Sequence, residues 1–445
     1  MRGESKGSWK VELGLTLRLA GPIVLGNLGQ ILIGVVDTLM IGRLGVAPLG
    51  ASAFVNNVFV IPLVTMMGLL AAVTVLVSQS KGAADDRQVG RIVRHGLGLT
   101  AVVSIAMFLL MAANSLFLDR YGQEAVVVEA SRSYYWLIAA SMIPALLYHC
   151  LKSVWEGLGW SRLPMLVLLA GIGLNVLLNW LLIFGKLGLP ALGLEGAGWA
   201  TLIARWAIAI AMFALTLRAR RFAAYLPRRW LSGYRWTEFR KMLKLGLPMA
   251  AQHLFEVGAF GGAGIIVGWI SKEALAAHQI AMSCAAMAFM IPLGLSIACG
   301  IRVGEAYGGG DHARLRMIYS SALGFSLAQT VVSALFFLLA GGLLASLFVE
   351  DEQVVSIAAS IFVVVGLFQI FDGAQVTILG ALRGISDVNV PMLITFVTYW
   401  ILALPVGYVI GFPLGFGAIG VWMGLAIGLF AAALALYLRL RQRVG

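Results

Sequence analysis

The chain is poor in charge. Asp, Glu, Lys and Arg make up 12% of its 445 residues, about half of what soluble domains carry. A water-soluble globule is excluded on that ground. Cysteine is scarce as well: Cys150, Cys284 and Cys299 stand alone inside apolar runs. With no CxxC and no His/Cys cluster they read as small buried hydrophobes, not as metal ligands or disulfides. The chain lacks a GxxxxGK[ST] phosphate loop, so it carries no ATPase of its own. It also lacks an HExxH zinc motif and any Ser/His/Asp layout suited to a hydrolase. An enzyme is not expected, and no cofactor is called for.

What the chain has is hydrocarbon. It is 60% hydrophobic, with a mean hydropathy of +0.94. Crossing a bilayer takes about 20 apolar residues, and twelve such runs recur, at 14–41, 47–78, 95–117, 131–154, 163–185, 196–217, 245–270, 274–304, 317–348, 354–382, 391–411 and 416–438. Each is expected to be a helix, because an open strand would leave its backbone groups unpaired in lipid. The first run is too long for a signal-peptide core and contains Asp37, so it should remain as the first helix.

The net charge of +12 is unevenly placed. With a cytoplasmic N-terminus, Lys and Arg gather on the inside: Arg2, Lys6, Lys10 and Arg18, then Lys81, Arg87, Arg91 and Arg94. The central stretch follows with Arg218, Arg220, Arg221, Arg228, Arg229, Arg235, Arg240, Lys241 and Lys244, and Arg439, Arg441 and Arg443 close the chain. An outside loop holds Glu350-Asp351-Glu352. This is the positive-inside pattern. It places both termini in the cytoplasm of a multi-pass plasma-membrane protein, expected to be a bacterial inner-membrane one. The basic balance is thereby explained without a nucleic-acid partner; lipids and small molecules are the expected partners, and a monomer the expected state.

The chain repeats itself. A shift of 226 residues aligns about 17–100 with the second half without a gap. Leu17-Arg18-Leu19-Ala20-Gly21-Pro22 meets Leu243-Lys244-Leu245-Gly246-Leu247-Pro248, and Gln79, Gly82 and Asp85 meet Glu305, Gly308 and Asp311. At a shift of 227, Gly157, Pro164 and Met165 meet Gly384, Pro391 and Met392. A period this long marks a duplicated six-helix unit. Six crossings return the chain to its starting face, so the copies are parallel. The expected organisation is an N-terminal lobe 1–217, a basic cytoplasmic linker 218–244 and a C-terminal lobe 245–445. The fold class is an all-α membrane protein with twelve helices in two pseudo-symmetric six-helix lobes.

Against this background three buried acids stand out: Asp37, Glu256 and Asp372. A carboxylate in hydrocarbon costs at least ~2.5–3.5 kcal/mol, and such residues usually face a bundle interior or an ion path. They break the repeat, since Glu256 aligns with Gln30, Asp37 with Ala263, and Asp372 falls near Ala145. Helical spacing puts Asn27, Gln30, Gly34 and Asp37 on one face. Gln252, His253, Glu256 and Phe260 share another, and Gln369, Asp372 and Gln375 form a third. Asn175 and Asn179 lie four apart. Amides beside a carboxylate can ligate a monovalent cation or tune protonation; they can also simply join helices, at about 0.6–2 kcal/mol per bond. Arg205 sits inside the sixth run, where it should pair with an acid or snorkel, with no partner identified. The 53 glycines suit close helix packing and most of the 17 methionines suit ordinary core.

Read in order, several stretches resemble the MATE (multidrug and toxic compound extrusion) family and its NorM-type branch, over about 10–440. They are Val36-Asp37-Thr38-Leu39-Met40-Ile41-Gly42, Ala276-Ala277-His278-Gln279, Ile301-Arg302-Val303-Gly304, Phe368-Gln369-Ile370-Phe371-Asp372, Gly380-Ala381-Leu382-Arg383-Gly384, Thr398-Tyr399-Trp400 and Leu404-Pro405-Val406-Gly407-Tyr408. The resemblance implies two six-helix lobes around a V-shaped cleft. It also implies antiport of cationic amphipathic drugs and dyes against Na⁺ or H⁺. Glu256 and Asp372 match the C-lobe coupling acids, where Na⁺ could bind; Asp37, Asn175, Asn179 and Thr201 match a polar N-lobe cluster. Gln30, Gln252, His253, Gln369 and Gln375 are supporting positions. Two departures stand out: Asn179 occurs where the archaeal branch has a second aspartate, and Phe368 replaces a tyrosine that some relatives carry. A lipid-linked oligosaccharide flippase of the same superfamily is the alternative, but cleft acids suit cationic cargo better than a pyrophosphate.

Overall fold

Twelve helices long and apolar enough to cross a membrane form the computed structural model, which describes residues 9–226, 230 and 232–444. They are α1 (Trp9–Gly42), α2 (Val46–Gly82), α3 (Asp86–Asn114), α4 (Ala125–Gly157), α5 (Arg162–Phe184), α6 (Gly193–Arg218), α7 (Trp236–Gly268), α8 (Lys272–Gly308), α9 (His312–Ser346), α10 (Glu352–Gly384), α11 (Asn389–Gly411) and α12 (Gly417–Val444). Each of the twelve apolar runs falls on its own helix. Arg2, Lys6, Arg228 and Arg229, which enter the charge argument, lie outside the described residues. Pro164 and Pro391 stand in the first turns of α5 and α11, where a missing N–H removes no helical bond. In the middle of α11 the backbone widens into a π-turn over Val397–Ala403.

The duplication is visible in the helix caps. Asp85 accepts from the Gln88 N–H at 2.9 Å, and its repeat partner Asp311 accepts from the Arg314 N–H at the same distance. The preceding residue is left-handed in both copies: Ala84 at φ 55° and Gly310 at φ 73°. The same holds after α4 and α10, with Gly159 at φ 84° and Ser386 at φ 63°. Each turn thus keeps its shape although one copy has lost the glycine that suits it.

Packing divides the chain into two compact units. One runs from Leu25 to Ala250; the other joins the chain up to Val24 to everything from Ala251 onward. This differs from the expected lobes 1–217 and 245–445. Loop composition marks where a chain leaves the membrane, whereas units follow which helices touch. The start of α1 packs with the second repeat, and the start of α7 packs with the first. Described residues of the 218–244 stretch are packed: Phe222 is fully buried against Trp155, their rings 4.7 Å apart. The Arg235 N–H donates to His95 Nε2 at 3.0 Å, and α7 begins at Trp236.

Inside the Leu25–Ala250 unit α4 packs against α2, α3 and α6; inside the other, α10 packs against α8, α9 and α12. Both central helices end on a glycine that the crossing requires. A Cβ on Gly384 would lie 2.6 Å from the Gly300 carbonyl oxygen, and one on Gly157 would lie 2.9 Å from that of Thr74. Small residues let helix backbones approach this closely in lipid.

Candidate functional site

The polar residues of the first repeat converge. In the Leu25–Ala250 unit a cavity of about 290 Å³ is lined by Gln30 and Asp37 from α1, Asn175 from α5, and Thr201 and Arg205 from α6. Tyr148 and His149 of α4 complete its polar wall. The contributors on each helix recur at helical spacing: Leu168, Gly171 and Asn175 on α5, and Thr201, Ala204, Arg205 and Ile208 on α6. Gly171 lets α5 meet α6 closely, since a Cβ there would stand 2.1 Å from Ile208.

Asp37 is held from α5. Asn179 Nδ2 donates to Asp37 Oδ1 at 2.5 Å and to Asn175 Oδ1 at 3.2 Å. Asn179 thus serves as a donor that answers one oxygen of the Asp37 carboxylate. Arg205, whose partner the sequence did not reveal, donates from Nη1 to Ser141 Oγ at 2.7 Å and interacts electrostatically with Asp37.

In the second unit α7, α10 and α11 bring together the other two acids. Glu256 and Asp372 are close enough for their charges to interact. Asp372 is 4% exposed, and its Oδ1 has no hydrogen-bond partner. On the same buried face of α10, Gln369 Nε2 donates to the Ala285 carbonyl at 3.0 Å, while Gln369 Oε1 and Gln375 Oε1 are unpartnered. Buried oxygens left without donors are costly, and three lie within two turns of one helix. The set consists of oxygens without thiolate, which suits Na⁺ or a proton and not a soft metal. Among the described residues no group of three or more His, Cys, Asp or Glu could hold a metal ion.

Two supporting positions behave differently from the acids. Gln252 is already engaged: it accepts from Arg383 Nη2 at 2.9 Å and donates to the Val388 carbonyl at 3.2 Å. His253 neighbours Glu256 along α7 and is half-buried. Two residues near the acids were noted in the sequence only as parts of family-like stretches, with no site role assigned. Arg383 interacts electrostatically with Glu256. Tyr399, on the π-turn of α11, interacts with both Glu256 and Asp372, and its buried hydroxyl has no partner. Phe260 packs against both rings, its centroid 5.9 Å from that of Phe368 and 6.1 Å from that of Tyr399. A lone Tyr between Thr398 and Trp400 carries no periodic signal that would have marked it.

Comparison with known proteins agrees with this duplicated architecture. The MatE family model matches twice, over residues 22–181 and 248–409, starting at the repeat-equivalent Pro22 and Pro248. The chain is 34% identical over 447 residues to the probable multidrug resistance protein NorM of Mesorhizobium japonicum, covering 98% of this chain and 95% of that protein. It is 35% identical over 433 residues to the protein of the same name from Bradyrhizobium diazoefficiens, covering 96% and 92%. Among solved structures, a MOP-superfamily transporter from Pyrococcus furiosus superposes with a TM-score of 0.89 at 22% identity, over 97% of this chain and 96% of that one. A eukaryotic MATE transporter gives 0.88 at 19%, over 98% and 100%. At such identities the structures bear on the fold alone. A family model matched once in each repeat, together with relatives aligned over nearly the whole length, assigns the chain: it belongs to the MatE family, the MATE transporters, and is a multi-pass bacterial membrane protein and not an enzyme.

Proposed function

We propose that this protein is a multidrug antiporter that exports cationic amphipathic compounds by alternating access, driven by Na⁺ or H⁺. The NorM relatives carry multidrug resistance in their names. The observation that carries the coupling half of the reading is the pair of half-buried Glu256 and buried Asp372, together with the unpartnered oxygens of Gln369 and Gln375 and the unpartnered Tyr399 hydroxyl. Two carboxylates at close quarters in a medium of low dielectric repel strongly. A proton or Na⁺ relieves that repulsion, and so does a drug cation. Ion and drug then compete for the same charge, which is the exchange an antiporter needs. Asp37, held by Asn179 and facing a cavity, gives the first unit a second place where a cation could be met.

Energetics favour more than one ion per drug. A tenfold gradient supplies about 1.4 kcal/mol per ion, and 100 mV supplies about 2.3 kcal/mol per net charge. One-for-one exchange of monovalent cations draws nothing from the voltage; two acids can carry two ions. Both termini are assigned to the cytoplasm by the Lys/Arg asymmetry, and the protein is taken to work as a monomer among lipids, without nucleic acid.

The test is dye transport in inside-out vesicles with Na⁺ and pH gradients imposed separately. Ethidium-like cations should be concentrated, and Asp372→Asn or Glu256→Gln should abolish that while the protein still reaches the membrane. Full gradient-driven transport by the double amide variant overturns the coupling site. Transport of a polyprenyl-phosphate sugar in place of every cation tried would favour a flippase.

A further inference from the structure

From Gly196 to Thr237 the chain carries seven arginines, no lysine and no acid. Membrane topology alone does not ask for this, because lysine serves the positive-inside rule as well as arginine does. Lysines are used close by in the sequence, at Lys241 and Lys244. Arginine differs in its planar fork of donors and its weaker hydration, which suit a phosphate.

Three of these arginines stand together where α6 ends. Arg218 is the last residue of that helix, and Arg220 and Arg221 open the short helical turn Arg220–Phe222 that follows. Phe222 fastens the turn from beneath: its buried ring lies 4.7 Å from that of Trp155 and 5.7 Å from that of Trp160. Tyr225 closes the cluster, 6.1 Å from Phe222 and 6.2 Å from Trp160. Trp160 also brings in α5, because Arg162 follows it by two residues and begins that helix. All four arginines are exposed. Among the described residues none of the four side chains makes a hydrogen bond or an ion pair. Asp86, the acid that interacts electrostatically with Tyr225, pairs with none of them. The fork of each guanidinium is therefore unspent, and the turn that presents two of them is anchored.

The same two helices continue as exposed apolar stripes. On α5 the stripe that Arg162 heads runs through Leu166, Leu169 and Leu177. On α6, Ile203, Ile210 and Leu217 recur at intervals of two turns and lead up to Arg218.

We propose that this corner of the Leu25–Ala250 unit binds an anionic phospholipid, its phosphate held by Arg162, Arg218, Arg220 and Arg221 and its acyl chains laid along α5 and α6. A soluble phosphate would use the arginines and leave the stripes without a role. A lipid of no net charge would use the stripes and leave the surplus of cations unanswered. The inference takes only sidedness from the proposed function, with the end of α6 in the cytoplasm, and it requires neither the coupling acids nor drug export.

The probe is phosphatidylglycerol, titrated into the purified protein in detergent, with phosphatidylethanolamine of the same acyl chains as the zwitterionic comparison. Bound lipid is counted by native mass spectrometry. The wild type should prefer phosphatidylglycerol, and Arg162→Gln, Arg218→Gln, Arg220→Gln and Arg221→Gln together should weaken its binding at least about tenfold. The same four positions changed to Lys keep the charge without the fork and should fall between. Arg18→Gln, Arg87→Gln, Lys244→Gln and Arg441→Gln together remove as much charge elsewhere and should change binding less than about twofold. Absence of a preference in the wild type overturns the proposal, and so does an equal loss in the two Gln variants, which would mark diffuse attraction. Displacement of the lipid by millimolar inorganic phosphate would point to a soluble anion and overturn it as well. Should the first Gln variant fail to fold, the Lys variant decides: a severalfold drop supports the site and no drop refutes it.

Discussion

Glu12 and Glu238 are repeat equivalents, 226 positions apart, and each ties the first turns of its helix to the other repeat. Glu12 on α1 accepts from Arg302 of α8 and, at 3.2 Å, from Arg314 of α9. Glu238 on α7 accepts from Gln88 of α3 at 3.0 Å. Arg314 and Gln88 are themselves repeat equivalents. One tie therefore joins buried charges, and the other joins a charge to an amide.

The two ties should differ in strength. Glu12 and Arg302 are 6% and 7% exposed, and removing one partner of a buried pair costs about 3–5 kcal/mol. Glu12→Ala should lower the unfolding midpoint in detergent severely. Glu238→Ala leaves a neutral amide behind and should cost about 1–3 kcal/mol. Equal losses in thermal scans of the two variants would contradict this ranking.

Two surface turns can be improved. Ala84 and Ser386 hold left-handed backbone where the repeat partner has Gly310 and Gly159. That conformation costs a residue with a Cβ about 1–2 kcal/mol, partly offset by the extra freedom glycine gives the unfolded chain. Ala84→Gly and Ser386→Gly should each stabilise by a few tenths to about 1 kcal/mol. A fall in midpoint for both would count against the turn geometry.

Gly384→Ala should do the opposite. Its Cβ would meet the Gly300 carbonyl oxygen at 2.6 Å, a backbone atom that can yield only by moving α8 away from α10. Overpacking of this kind costs about 1–3 kcal/mol. Loss of folded protein on size exclusion is the expected result, with normal behaviour for Gly14→Ala, where nothing lies within 4 Å.

Much of this was legible beforehand. Twelve runs, the duplication and the three acids follow from composition and spacing, because lipid leaves helices as the only choice and makes every charge conspicuous. The cluster of Asp37, Asn175, Asn179 and Thr201 was likewise legible through the family resemblance. Three features were not. The interaction of Arg205 with Asp37 joins α6 to α1, and helical periodicity is silent about contacts between helices. Tyr399, which interacts with both acids, lies where α11 widens at Val397–Ala403, and no residue type there announces that widening. The unit boundary after Val24 and Ala250 follows packing, whereas sequence shows only where loops begin.

Asp37 and Tyr399 offer functional tests of those features. Asp37→Asn should impair dye export while the protein inserts normally; unimpaired export across pH 6–8 would reduce Asp37 to a packing residue. Tyr399→Phe keeps the ring against Phe260 and deletes the hydroxyl. The expected effect is a weaker dependence of export on the imposed ion gradient, with protein level unchanged.

The tie at Glu12 also has a timetable. Its partner Arg302 lies 290 residues further along the chain, and ribosomes add about 5–20 residues per second. For roughly 15–60 s of each synthesis, then, Glu12 exists while the cation that answers its carboxylate does not. Whatever shelters Glu12 in that interval, water at the bilayer surface or the insertion machinery, is part of how this protein is made.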